Sequence, residues 1–281
     1  LQSAFGTPAE FTLEANPGTI VPGLFHLLRS RGVNRLSLGV QSFDDALLQR
    51  IGRIHRAADA RQAVQDAQAA GFANISLDLM YGLPGQSMEL LAGSVEQALA
   101  LGVQHISIYG LQVEEGTVFA RQQQAGTLEL PSEEEAEAMY DYMTAVLPSA
   151  GYARYEISNF ARPGFASRHN LSYWQDVPYL GLGVAAHSYW DDRRLENPAE
   201  LDAYIACIAA GCPAGRPEEP ATREIRMEEF CFLALRTARG IDKAAFAAKF
   251  GRLIDSVYHR PIAEMKRRGL LAEDESYLRL T

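Results

Sequence analysis

The sequence predicts an α/β fold built on a parallel sheet, followed by a smaller C-terminal module of three helices and a hairpin. Three observations carry this. Up to about residue 190, short β-rich runs alternate with helical runs of roughly 10 to 15 residues, the pattern of βαβ units. From about residue 195 the alternation stops, and helical runs follow one another before a closing hairpin pattern. The chain has 281 residues, enough for one large α/β domain with an appendage. The expected domains are therefore 1–195 and 196–281.

Taken in order, Glu10–Glu14 reads as the first strand, stopped by Asn16-Pro17-Gly18. Pro22–Arg31 reads as a helix bounded by Gly32, and Arg35–Val40 as the next strand. Asp44–Ile51 and the alanine-rich Ala57–Ala70 are helical, the second ending at Gly71. Asn74–Leu79 is a strand closed by Gly82-Leu-Pro-Gly85, and Ser87 caps a helix running to Leu101. His105–Tyr109 is a strand. Pro131–Leu147 is a helix whose first turn carries Glu133, Glu134 and Glu135, where carboxylates suit the helix dipole. Tyr152–Ile157 reads as a further strand. Later, Thr222–Thr237, Asp242–Phe250 and Leu253–Arg267 read as helices and Gly269–Leu280 as a hairpin, together a winged-helix-like module. The module is not strongly basic, so a packing appendage is preferred to a DNA reader.

Charge and composition narrow the function classes. The net charge is −9, which disfavours nucleic acid as the default partner, because phosphate neutralisation needs clustered Lys and Arg. No apolar run approaches the roughly 20 residues that span a bilayer, and no secretory leader opens the sequence. The cysteines are Cys207, Cys212 and Cys231. Three form no disulfide framework and fit a reducing, cytoplasmic setting. Their spacing matches no familiar zinc or iron–sulfur pattern, so they read as buried structural thiols. Gly181-Leu-Gly183-Val-Ala-Ala186 mimics a relaxed dinucleotide fingerprint, but it sits late in the chain and runs into the strand-like His187-Ser-Tyr-Trp190.

Two groups of residues can carry chemistry. Polar side chains recur near predicted strand ends: Glu14, Gln41, Asp78, Gln112 and Glu156. Ligands of parallel α/β folds bind at the carboxyl ends of strands, and polar groups inside apolar runs are costly unless bonded. Singly, each could equally serve a loop backbone; together they favour a shared site. The second group is Arg168-His169-Asn170-Leu-Ser-Tyr173-Trp174, which follows a loop containing Arg162. It offers a metal-capable nitrogen and two flat faces to a planar ligand. A histidine among aromatics is also, and more often, a hydrogen-bonded core residue.

Glu14-Ala-Asn-Pro-Gly-Thr19, Arg35–Phe43, Ile51-Gly-Arg-Ile-His55 and Asp78-Leu-Met-Tyr-Gly-Leu-Pro-Gly-Gln86 occur in one order with tight spacing. This resembles the radical S-adenosylmethionine family of oxygen-independent coproporphyrinogen III oxidases. The segment His169-Asn-x-x-Tyr-Trp174 and the following Tyr179-Leu-Gly-Leu-Gly183 are similar to the HemW-type heme chaperones within it. The resemblance implies a partial (β/α)6 barrel that holds S-adenosylmethionine against a [4Fe-4S] cluster, followed by the winged-helix-like domain. It implies Glu14, Gln41, Arg53 and Asp78 as S-adenosylmethionine-binding residues, with Gln112 beside the adenine. The family's C-x-x-x-C-x-x-C loop and Gly-Gly-Gly-Thr-Pro segment are not in this sequence. The chain begins with Leu1; about 90 to 100 preceding residues, with the first barrel strands and the cluster cysteines, are expected from the family layout.

By resemblance the function is to bind heme and hand it to heme-accepting respiratory proteins, some of them membrane-associated. His169 is then the candidate iron ligand, with Arg168 and Arg162 as partners for heme propionates. The alternative within the family is a true coproporphyrinogen III oxidase, which decarboxylates propionates through a radical; no catalytic residue is assigned for it. A third reading, from the residues alone, is a metal-free α/β binding scaffold.

Overall fold

The computed structural model describes residues 6–211, 215–217 and 221–281. The chain forms two compact units divided after Ala166. In the first, a six-stranded sheet contains β1 (Thr12–Ala15), β2 (Arg35–Gln41), β3 (Ile75–Tyr81), β4 (His105–Gly110), β5 (Ala153–Arg154) and β6 (Asn159–Ala161). Its order is β1-β2-β3-β4-β6-β5. Strands β1 to β4 pair in parallel, and β6 and β5 add antiparallel. The sheet is open, with β1 and β5 at its edges.

The first-unit helices are α1 (Leu24–Ser30), α2 (Asp45–Arg50), α3 (Ala57–Ala69), α4 (Met88–Ala100), α5 (Val118–Gln124) and α6 (Glu133–Ser149). Local sequence explains their ends. Gly71 takes φ +87° just past α3, and Ser87 accepts from Leu90 N at the start of α4. A reciprocal capping box joins Ser132 and Glu135 at α6. Alternation along the strands then sorts the side chains. Leu36, Leu38 and Val40 of β2, Ile75, Leu77 and Leu79 of β3 and Ile106 and Ile108 of β4 are buried in one core. Ala60 and Val64 of α3, Leu91 and Val95 of α4 and Met139 and Met143 of α6 complete that core. The opposite face of the strands is polar.

The expected strand Tyr152–Ile157 is corrected by the structure. Only Ala153–Arg154 is strand, and the chain then reverses into Asn159–Ala161. The reversal is held by Tyr155 N donating to Asn159 O (3.2 Å) and Ile108 N to Ser158 O (2.7 Å). It turns this part of the sheet antiparallel.

The second unit starts with α7 (Arg168–Trp174), then β7 (His187–Trp190), β8 (Arg193–Glu196), α8 (Leu201–Ala209) and β9 (Arg216–Pro217). The division at Ala166 precedes the change of sequence pattern near residue 195. Strands β7, β8 and β9 form their own antiparallel sheet, apart from the six-stranded one. Gly181–Ala186 leads into strand β7 and opens no helix, so it lacks the strand–turn–helix setting of a dinucleotide fingerprint. Next come α9 (Arg223–Leu235), β10 (Ile241–Asp242), α10 (Lys243–Phe250), α11 (Ile254–Arg267), β11 (Leu271–Glu273) and β12 (Tyr277–Leu280). Three helices followed by a wing ordered β10-β12-β11 form the expected winged-helix-like module. Its core packs Met227, Phe246, Phe250, Ile254 and Leu278. Among the described residues no helix is long and apolar enough to cross a membrane.

Cys212 lies outside the described residues. Cys207 and Cys231 are half-buried, less enclosed than expected. Burial, reinforced by the charge of Glu228, pushes the Cys231 thiol up to about 12, so it is a neutral thiol at physiological pH.

Candidate functional site

The polar face of the first sheet is assembled by strand alternation and register. Glu14 on β1 is paired with Ser37 on β2, and Ser37 with Ser76 on β3. Asp78 on β3 is paired with Ser107 on β4. Ser37 Oγ donates to Asp78 Oδ1 and Oδ2 at 3.2 and 3.3 Å. Burial pushes the Asp78 carboxyl above its ordinary range; the Ser107 and Ser37 hydroxyls oppose this, the nearby Glu14 charge adds to it, and Arg35 opposes it. Asp78 stands in the middle of β3 rather than at its end, whereas Glu14 is the third of four residues in β1.

A second cluster sits at the carboxyl end of β1 and β2. Gln41 is the last residue of β2 and is buried. Its φ is +67°, a left-handed conformation that L-residues adopt at a cost. A register shift between Leu38 and Gln41 accompanies it. Arg53, in the turn after α2, donates from Nη1 to Asn16 Oδ1 at 2.7 Å. A methyl group placed on Gly39 would lie 3.0 Å from both Asn16 Oδ1 and Gln41 Nε2. Asn16, held by Arg53, and Gln41 thus both close over Gly39, whose lack of a side chain admits them. Sequence reasoning read Asn16 only as a strand stop. The available signal was its position directly after β1, on the same end as Glu14.

Gln112 is exposed on the loop beyond β4, outside this cluster. Glu156 is buried in the reversal between β5 and β6, where its Oε2 accepts from Ser158 N. At the opposite end of the face, the fully buried His105 lies between Ser76 Oγ (2.7 Å from Nδ1) and the Tyr155 hydroxyl (2.8 Å from Nε2). Burial, with a contribution from Arg35, pushes its pKa down to about 3.

The second candidate lies on α7. Ser167 caps the helix by accepting from Asn170 N. His169 is exposed, and its ring stands 4.8 Å from Tyr173 at 88°. Tyr173 in turn meets Tyr179 at 4.6 Å and 74°. His169 is thus not a core histidine, and the edge-to-face stack leaves it outermost. Arg168 is exposed beside it. Arg162 belongs to the first unit, where its guanidinium lies 5.0 Å from the centre of the Tyr152 ring. Among the described residues no three His, Cys, Asp or Glu side chains group as a metal-ligand set.

Residues 6–98 match the Radical SAM superfamily, and residues 221–281 match the HemN C-terminal domain. The heme chaperone HemW of Bacillus subtilis is 41% identical over 273 residues, spanning 97% of this chain and 72% of the relative. The chain belongs to the HemW family. HemW of Lactococcus lactis is 39% identical, spanning 97% of this chain and 71% of the relative. HemW of Escherichia coli is 41% identical over a shorter stretch, 64% of this chain and 46% of the relative. Among solved structures, the coproporphyrinogen III oxidase HemN of Escherichia coli, a radical SAM enzyme, superposes with a TM-score of 0.81 at 24% identity. That match spans 97% of this chain and 66% of the HemN chain. It shows that the HemW-family chain shares the HemN fold along nearly its whole length.

Proposed function

We propose that this chain is the larger part of a cytoplasmic heme chaperone that binds heme on its second unit and S-adenosylmethionine on its first, and passes heme to respiratory heme proteins. The observation that carries the reading is the 41% identity to a heme chaperone across 97% of the chain. The likeness to HemN is below 25% identity and speaks for the fold, so it favours no oxidase activity.

The residues of the first unit suit S-adenosylmethionine. Arg53 offers a guanidinium to the methionine carboxylate. Gln41 can donate and accept from one amide. Glu14 and Asp78 accept from the ammonium group or the ribose hydroxyls, and Gln112 flanks the adenine. The close approach of Asn16 Oδ1 and Gln41 Nε2 over Gly39, with Arg53 bonded to Asn16, supports this by setting polar groups side by side at the carboxyl end of β1 and β2. S-adenosylmethionine, bound at a reduced [4Fe-4S] cluster, supplies radical chemistry. The present residues include no C-x-x-x-C-x-x-C run, so this chain's own part is to bind and orient. In the second unit, His169 ligates the heme iron and Arg168 pairs with a propionate; its exposure at the end of an aromatic stack supports the role.

The test is hemin titration followed in the Soret region. His169→Ala is expected to lose the shifted band and weaken binding, and an unchanged spectrum and affinity would remove the ligand assignment. In parallel, Arg53→Ala is expected to weaken S-adenosylmethionine binding about 10- to 100-fold through loss of a charged hydrogen bond.

A further inference from the structure

A helix of seven residues with no buried side chain cannot fix its own direction, because so short a segment is marginal without tertiary contacts. Helix α7 therefore depends on what grips its ends. Its C-terminus closes in a Schellman turn, in which Asp176 N donates to Tyr173 O (3.1 Å) and Val177 N to Ser172 O (2.9 Å). The left-handed position of that turn usually belongs to glycine, yet here it holds Asp176 at φ +55°. The side chain explains the choice. The Asp176 carboxylate, 6% exposed, pairs with Lys249 of α10 at 2.5 Å and with Arg226 of α9 at 3.3 Å.

The same Arg226 is a hub. Its guanidinium also pairs with Glu229 (2.6 Å) and Asp192 (3.0 Å) and donates to the Tyr189 hydroxyl. Tyr189 exchanges both backbone hydrogen bonds with Tyr179, the residue against which Tyr173 stacks. One residue before the C-cap of α7, Trp174 lies under the Arg236 guanidinium at 5.5 Å, and Arg236 also rests on Phe232 at 4.7 Å. The aromatic stack that ends in His169 is thus gripped through Asp176, Trp174 and Tyr179, and each grip leads to the winged-helix-like module.

We propose that this module acts as a clamp that orients His169 for heme ligation, with Asp176 as the principal positioning residue and Arg226, Lys249 and Arg236 as its partners. The proposal rests on the reading of His169 as the heme ligand. It gives a role to a DNA-reader-like module in an acidic protein, where a nucleic-acid role is disfavoured by charge.

Two substitutions isolate the clamp in the full chain. Asp176→Asn keeps the size and the tolerance for a left-handed backbone but loses the charge. Asp176→Gly makes the turn easier and loses the carboxylate altogether. Both are expected to fold, and both are expected to weaken hemin binding about 10- to 100-fold, as loss of a ligand-orienting partner does, with a reduced Soret shift. A readout without heme runs beside this: in a Trp190→Phe background, acrylamide quenching of Trp174 should rise in either variant. Adding Asp176→Asn to His169→Ala should cost no further affinity, because the clamp acts only through that ligand. If Asp176→Asn leaves hemin affinity and spectrum unchanged while His169→Ala abolishes them, the clamp is overturned and the heme reading stands. If His169→Ala changes nothing, the ligand assignment falls and the clamp's role in ligation falls with it, even where quenching reports a loosened helix.

Discussion

The hydroxyl of Ser37 on β2 donates to both carboxylate oxygens of Asp78 on β3. This bond crosses neighbouring parallel strands on the polar face and partly compensates a carboxyl that burial holds above its ordinary range. A raised folded-state pKa means the native form binds the proton more tightly than the unfolded chain. The stability from this group is present below the unfolded value near 3.8 and falls as pH rises through the folded one. Asp78→Asn removes that loss. The variant is expected to melt above the parent at pH 7 but not at pH 3, and to bind S-adenosylmethionine about tenfold more weakly, a change of about 1.4 kcal/mol. Melting curves at the two pH values and calorimetric titration check both halves.

Gln41 combines a side chain packed over Gly39 with a left-handed backbone. Gln41→Ala and Gln41→Gly both delete the amide, so both should lose about the same affinity for S-adenosylmethionine. They should differ in stability. Alanine keeps the strained φ and glycine relieves it, so Gln41→Gly is expected to be about 1 kcal/mol more stable than Gln41→Ala. Denaturant unfolding of the pair measures the difference; equal midpoints would show that the backbone there relaxes freely.

The arrangement of Asn16 and Gln41 is tested at Gly39. Its backbone is not left-handed, so alanine is allowed conformationally, but the added methyl would stand 3.0 Å from Asn16 Oδ1 and Gln41 Nε2. Gly39→Ala should fold with little loss of stability and weaken S-adenosylmethionine binding about tenfold. Retained affinity in a folded variant would place the ligand elsewhere.

Acid sensitivity should trace to His105. It is neutral in the fold down to a pKa of about 3, whereas the unfolded chain takes up the proton near 6.5. The lowered value means that stability is complete above pH 6.5 and is lost as pH falls from there toward 3, by on the order of a few kcal/mol. His105→Gln keeps a side chain able to bond the Ser76 and Tyr155 hydroxyls but cannot titrate. Its unfolding free energy should vary less between pH 6.5 and 4 than the parent's, and an identical slope would assign the effect to other groups.

Much of the fold is legible in the sequence because the strands alternate cleanly. Arg35-Leu-Ser-Leu-Gly-Val40 shows its two faces at a glance, and the caps at Ser87 and Ser132 announce their helices. The reversal at Tyr155–Asn159 is less visible. It contains neither glycine nor proline, and it is made by backbone bonds to Asn159 and Ser158 inside a run rich in strand formers. The candidate site divides in the same way. Glu14, Gln41 and Asp78 stand out as polar residues in apolar runs, but Asn16 looks like turn punctuation until Arg53 is found bonded to it. Asp176 is similarly silent in the sequence, since its meaning depends on cations on α9 and α10, some 50 to 73 residues away.

The alternation that sends leucines to the helices and serines, Gln41 and Asp78 to the other side has a consequence for how a substitution is felt. Odd and even positions of one strand carry different physical loads: one set packs the core, the other bonds across the polar face. Ser37, Ser76 and Ser107 are themselves buried and bond Asp78, His105 and one another, so the polar face is a network in its own right beside the packed Leu36, Leu77 and Ile106. A change at one of these serines is felt first by its buried polar partner and only then by the apolar layer behind the sheet.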